Sequence, residues 1–167
     1  VIALIKKFDH MDYTYFKLVH LLAVLLFLGN IITGLFWMRQ AFKTRNLLII
    51  THTIQVVIRS DRLFTIPGVV LITIGGLMSA IHGQIPILDT GWIFWSIVLF
   101  TISGIAFMWK VAPLQKKMYR LSIVSKSLDD GTWMQIHQAH KSWEVWGMIA
   151  LLTPLLAFCM MVLKIPR

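Results

Sequence analysis

Four stretches of this chain run apolar without a single Asp, Glu, Lys or Arg: Leu18 to Met38, Leu63 to Ile81, Trp92 to Trp109 and Val145 to Leu163. A helix rising about 1.5 Å per residue needs roughly 20 apolar residues to cross the hydrocarbon of a bilayer, and each run is close to that length. The pattern predicts an all-α membrane protein, a bundle of four transmembrane helices over about residues 14–38, 62–82, 91–111 and 143–164. Residues 1–167 then form a single four-span domain, with no length left for a second.

Between the runs the helical period persists with polar residues interleaved. Leu47, Ile50, Ile54, Val57 and Ile58 recur at helical spacing beside Arg45, His52, Gln55 and Arg59, which predicts a helix on the membrane surface or an extension of the second span. Leu114, Met118, Leu121 and Val124 form a similar stripe beside Lys116, Lys117, Arg120 and Lys126, ending at Asp129-Asp130-Gly131, and predict a short amphipathic interfacial helix. Ser60 or Asp61 is expected to cap the second span, with Pro67-Gly68 permitting a bend just inside it. Gly29 and Thr33, Asn30 and Gly34, Gly75 and Ser79, Ser103 and Gly104, and Gly147 with Ala150 and Ala157 mark stripes where backbones can approach closely in lipid.

Composition agrees with a bilayer as solvent: 57% of residues are hydrophobic, 14% are charged, and the mean hydropathy is +0.76. The net charge of +9 sits in the connections, where it matches anionic headgroups rather than nucleic acid. The first connection carries Arg39, Lys43, Arg45, Arg59 and Arg62, and the third carries Lys110, Lys116, Lys117, Arg120, Lys126 and Lys141. The second, Gly83 to Gly91, has no basic residue. An excess of Lys and Arg on the cytoplasmic side therefore puts both termini in the periplasm of a bacterial inner membrane, against the weaker pull of Lys6, Lys7 and Lys17. No cleavable signal peptide is expected, because the Lys6-Lys7 pair leads through an acidic and aromatic stretch into a full-length span. A single cysteine, Cys159, excludes an intrachain disulfide.

Ionisable residues inside spans are candidates for function. His20 is embedded in the first run, with Lys17 one turn nearer the outer surface. In the expected orientation His82, Trp92, Trp95, Ser96, Met160 and Met161 reach a similar outer level. Haem iron takes His or Met axially, a lysine can pair with a propionate, and apolar walls keep the macrocycle dry, so His20, His82, Lys17 and Met160 are candidates for a haem b pocket. A hydrogen-bonded packing histidine is the competing reading of His20, and lipid anchoring that of the Met and Trp residues. His137, His140 and Glu144, at spacings of three and four, share a helical face and form a second, weaker candidate metal site. Asn30 in mid-span is expected to make an interhelical hydrogen bond, and Arg59-Ser60-Asp61-Arg62 an ion pair with headgroup contacts. No phosphate loop, nucleophile elbow or paired intramembrane carboxylate is present.

The strings Phe16-Lys17-Leu18-Val19-His20-Leu21-Leu22, Phe27-Leu28-Gly29-Asn30, Arg59-Ser60-Asp61-Arg62-Leu63-Phe64-Thr65-Ile66-Pro67-Gly68, Ala112-Pro113-Leu114-Gln115 and Trp143-Glu144-Val145-Trp146-Gly147 resemble a bacterial family of predicted integral membrane proteins, domain of unknown function 2269. More distantly, four spans with a histidine early in the first look like the HemJ-type protoporphyrinogen oxidases. That similarity implies a haem b protein with His20 as ligand. The third-span lysine of those enzymes is not carried over, since Trp92 to Ser96 holds no Lys and Lys110 lies at the opposite end of its span. Two functions are therefore expected to compete: a haem-b-binding membrane protein of electron-transfer or other redox role, and a haem-free accessory subunit or assembly factor. The partners expected are the lipid bilayer, a second copy in a homo-oligomer, or a larger membrane complex. A small transporter using His20 and Asn30 is a third reading, weakened because no predicted span contains a carboxylate.

Overall fold

The computed structural model describes the backbone of residues 2–125 and 129–166, with side chains from Tyr13 onward; the side chains of Lys6 and Lys7, and all of Lys126, lie outside the described residues. Among the described residues the fold has six α-helices: α1 (Ile2–Lys43), α2 (Leu47–Ser60), α3 (Ile66–His82), α4 (Gly91–Ala106), α5 (Ala112–Val124) and α6 (Asp130–Leu163). No strand occurs among the described residues.

The helices do not stop where the apolar runs stop. A five-residue π-turn, Asp61–Thr65, joins α2 to α3, and another, Phe107–Val111, joins α4 to α5, so that continuous helices cover Leu47–His82 and Gly91–Val124. Each π-turn precedes a proline, Pro67 or Pro113, near the start of the next helix. Proline has no N–H and crowds the carbonyl four residues earlier, which a regular α-turn cannot absorb. The wider turn lets the following amide reach one residue further back, Ile66 N–H to Asp61 O and Ala112 N–H to Phe107 O, and the helix continues. The second span is accordingly not capped at Ser60 or Asp61. Asn46 caps instead, its Oδ1 accepting from Leu48 N at 2.9 Å and Ile49 N at 3.3 Å.

At 34 or 36 residues these helices are about 50 Å long, against roughly 30 Å of hydrocarbon. The excess lies at the end bearing Arg39, Lys43, Lys116 and Lys117, because the apolar runs begin directly at the 83–91 connection on the other side. The fold is thus a four-helix membrane bundle extended by a polar stalk. The Leu114–Met118–Leu121 stripe accordingly differs from the expected surface helix: α5 continues the third span and turns Met118 into the stalk core.

In the stalk, α1, α2, α5 and α6 close a ring, each packed on its neighbours around Met38, Phe42, Ile50, Ile54, Met118, Ile136 and Trp143. Further along, α1 pairs with α3 and α4 with α6, whereas α3 and α4 do not approach one another among the described residues. The membrane half has the smaller buried core, Ala23, Phe27, Leu28, Ile72 and Leu151. Burial frees apolar surface from water only in the stalk; lipid solvates leucine as well as another leucine does, so membrane packing relies on close fit and hydrogen bonds. Ser96 and Ser103 supply such bonds to α6, donating to the carbonyls of Ala157 at 3.1 Å and Ala150 at 2.7 Å.

Candidate functional site

Three groups of polar side chains are held inside this scaffold. The first is on the α1/α3 seam in the membrane half. His20 is half-buried and its Nδ1 donates to the Ile72 carbonyl oxygen at 2.8 Å. Ile72 cannot use that carbonyl for more than its own helix without such a donor, and the bond fixes the tautomer: Nδ1 carries the proton, so Nε2 of the neutral ring is left as an acceptor or ligand. The ring lies on a glycine pair. A Cβ on Gly75 would stand 3.2 Å from His20 N, Cα and Cβ, and one on Gly76 would stand 3.1 Å from the imidazole. His82, near the end of α3, has its Nδ1 donating to Met78 O at 2.9 Å and its ring 4.9 Å from that of Phe16, one turn of α1 beyond His20. Lys17 is exposed, its ammonium 5.7 Å from the Tyr13 ring. Met160 lies half-buried on the last turn of α6, which adjoins α1 but not α3. His20 and His82 therefore share one seam, and Met160 belongs to another part of the bundle. Trp92 and Ser96 serve α4, the Ser96 hydroxyl bonding to the Trp92 carbonyl at 2.7 Å.

The second group occupies the level of the π-turns. Asp61 is buried at 8% exposure. Its Oδ1 accepts from Asn30 Nδ2 at 3.0 Å and Thr65 Oγ1 at 2.9 Å, and its Oδ2 accepts from Gln115 Nε2 at 2.8 Å. Asn30 also donates to Thr65 Oγ1 at 2.9 Å, and Ser60 donates to Asn30 Oδ1. The carboxylate thereby ties α1, the first π-turn and α5 together, at the point where the two long helices part. Asn30 makes the interhelical bond expected of it. Asp61 does not pair with its flanking arginines as expected: Arg59 and Arg62 point outward and are exposed, while Asp61 turns inward to neutral donors.

The third group is in the stalk, just beyond the apolar runs. Arg39 Nε donates to Glu144 Oε1 at 2.7 Å, and Arg39 Nη2 donates to the same oxygen. His140 stacks on Phe42 with ring centroids 3.8 Å apart, and His137 stacks on Trp133 at 5.0 Å. With Glu144 committed to Arg39, the proposed His137, His140, Glu144 metal site is not assembled; among the described residues no three His, Cys, Asp or Glu side chains gather to hold a metal ion. Arg39 is well exposed, so Glu144→Gln is expected to cost no more than about 1 kcal/mol, an effect that added salt erases in a denaturation series.

The profile of a family described as predicted integral membrane protein (DUF2269) matches residues 14–165. The chain belongs to the DUF2269 family. Nothing matches among curated proteins, and nothing among solved structures. The four long apolar helices agree with the DUF2269 description. The sequence strings that carry the DUF2269 resemblance converge in space: Asn30, Ser60, Asp61, Thr65 and Gln115, drawn from three separate strings, form the one hydrogen-bonded group at the π-turns. Sequence reasoning missed Asp61 as an interior group. The available signal was its isolation as the single acid between Asp12 and Asp89, together with Thr65 one turn on and a proline beyond.

Proposed function

We propose that this protein is a haem-b-binding membrane protein of electron-transfer role, with His20 as axial ligand. The single observation that supports this reading is the His20 Nδ1–H bond to the Ile72 carbonyl at 2.8 Å. A metal-binding imidazole commonly donates its other nitrogen to a carbonyl or carboxylate, which orients the ring and raises the basicity of the ligating nitrogen. The residues present fit such a group: Nε2 is the free nitrogen, the Gly75-Gly76 surface seats the ring, and the lack of approach between α3 and α4 leaves that side of the membrane half open. His82, on the same seam, would serve as the second ligand in preference to Met160, and exposed Lys17 would pair with a propionate. A bound haem would supply one-electron redox chemistry. The chain's own part is to hold the His20 tautomer and to exclude water with Phe16, Phe27 and Phe100. We place this pocket toward the periplasmic leaflet of a bacterial inner membrane, with the stalk in the cytoplasm, because the stalk end carries the lysines and arginines.

The test is the absorption spectrum of detergent-solubilised protein, oxidised and then reduced with dithionite. A Soret band that His20→Ala abolishes supports the assignment. Protein that stays colourless after haem supplementation overturns it.

One observation favours a second reading, a haem-free accessory subunit or assembly factor. A Cβ added at Gly29 or Gly104 would meet nothing within 4 Å, so these small residues notch the outer face of the bundle instead of its interior. Such notches let a partner helix approach closely in lipid. Native purification that yields a consistent large complex and a colourless subunit would favour this reading.

A further inference from the structure

The stalk holds buried polar atoms that the fold itself leaves without partners. His140 is only 4% exposed, and neither of its ring nitrogens has a hydrogen-bond partner among the described residues; the same holds for His137 Nδ1. Buried polar groups are nearly always bonded, and His140 carries an N–H on one ring nitrogen or the other in either tautomer, so it calls for an acceptor that the described residues do not supply. The two histidine residues line a cleft of about 270 Å³ whose other walls are Arg39, Phe42, Lys43, Lys141 and Glu144, and their unpartnered nitrogens lie just beneath its surface.

The charges around that cleft say what kind of acceptor it takes. Arg39, Lys43 and Lys141 are positive and Glu144 is negative, a balance of +2 to which His140 adds nothing near neutral pH, because burial pushes its pKa down to about 4. Glu144 does not face the cleft as a free anion, because Arg39 grips its Oε1 through two N–H groups. A cation would meet an excess of positive charge here, and a neutral ligand would leave Lys43 and Lys141 uncompensated. A dianionic group rich in acceptor oxygens answers both conditions, and a phosphate monoester carries about −1.5 to −2 at neutral pH. Phe42, stacked on His140 with ring centroids 3.8 Å apart, gives the cleft an apolar wall and fixes the plane of the imidazole.

We propose that this cleft binds a phosphate group, with His140, His137, Lys43 and Lys141 as its donors. Its level in the fold fits that chemistry. Arg39 directly follows Met38, and Glu144 directly precedes Val145, the points where the first and fourth apolar runs end, so the cleft opens where phospholipid headgroups lie. The phosphate can therefore belong to a lipid headgroup or to a free anion in the water beside it. This inference is independent of the haem reading, since no residue is shared with the His20 seam.

The full chain in detergent micelles is titrated separately with inorganic phosphate, with phosphatidic acid and with phosphatidylcholine, and the thermal midpoint is followed. Phosphatidic acid is expected to raise the midpoint and phosphatidylcholine to leave it unchanged. A response to inorganic phosphate as well assigns the site to the phosphate alone, and a response to phosphatidic acid only assigns it to the lipid. His140→Phe, which keeps the stack on Phe42, and Lys141→Gln, an exposed position, are each expected to weaken the response at least tenfold. Lys43→Gln serves should His140→Phe fail to fold. The proposal is overturned if neither ligand shifts the wild type, or if the shift persists in Lys141→Gln and Lys43→Gln but disappears in Lys116→Gln/Lys117→Gln, which would move the site to α5.

Discussion

Asp61→Ala is expected to lower the unfolding free energy by about 2–4 kcal/mol, the largest effect of any single truncation of a polar side chain in this protein. The side chain accepts three hydrogen bonds, from Asn30, Thr65 and Gln115, on three different stretches of helix. Alanine removes the acceptor and leaves the buried Thr65 and Gln115 donors without it, while the amide nitrogen of half-buried Asn30 keeps only its bond to Thr65. Hydrogen bonds to a charged group contribute about 1.5–3 kcal/mol each in water-soluble proteins. Within membrane bundles the mean is nearer ~0.6, because the unfolded helices find other partners in the bilayer. Three bonds to one carboxyl group at the level of Asn30, within the first apolar run, fall between these limits, which sets the range. Asp61→Asn should cost less, since its amide oxygen still accepts from Asn30 and Thr65 while the amide nitrogen faces the Gln115 donor. The measurement is reversible unfolding in mixed micelles, with Gln115→Ala and the double variant completing a cycle. If Asp61→Ala changes stability by less than ~0.5 kcal/mol, the level expected of an ordinary surface site, the waist is not held by this group.

Gly75→Val should cost about 2–3 kcal/mol and, under the haem reading, also abolish the Soret band. Even the first added carbon would stand 3.2 Å from His20 N, Cα and Cβ. Two of these are backbone atoms of α1, which cannot swing aside as the end of a long side chain does. The helices must separate, and the His20 to Ile72 bond at 2.8 Å is then stretched. Gly104→Val supplies the control, because a Cβ there meets nothing within 4 Å and the substitution faces only lipid. Gly104→Ala is expected to be neutral or stabilising by up to about 1 kcal/mol through helix propensity alone. Equal tolerance at Gly75 and Gly104 would mean that α1 and α3 do not meet at this distance.

These two predictions rest on features that were legible to different degrees. Gly75 and Ser79 were readable as a packing stripe, and Asn30 as an interhelical donor, because a small or polar residue facing lipid along a helical stripe has few other uses. Asp61 was misplaced at the headgroup boundary because Arg59 and Arg62 flank it, and charged neighbours in sequence usually mean solvent. A π-turn rotates the residues on either side of it by a fraction of a turn, which sends the arginines out and the aspartate in. Periodicity counted at 3.6 residues per turn cannot register that shift. The same limit hid the fate of the Leu114–Met118–Leu121 stripe: an amphipathic helix looks alike whether its apolar face meets lipid or three other helices. His137, His140 and Glu144 share a face as their spacing requires, yet Glu144 is taken by Arg39, a residue 105 positions away.

The sequence by itself determined that the chain crosses a bilayer four times, which helices do so, and which end is basic, because hydrocarbon tolerates only long uncharged helices and each run declares itself locally. Only the tertiary structure decided that the helices continue into a stalk, that Asp61 is interior, that His20 rests on Gly75 and Gly76, and that the imidazoles of His137 and His140 border a cationic cleft. Each of those depends on which faces of distant helices meet, and that choice is made by packing and hydrogen-bond satisfaction across the whole bundle.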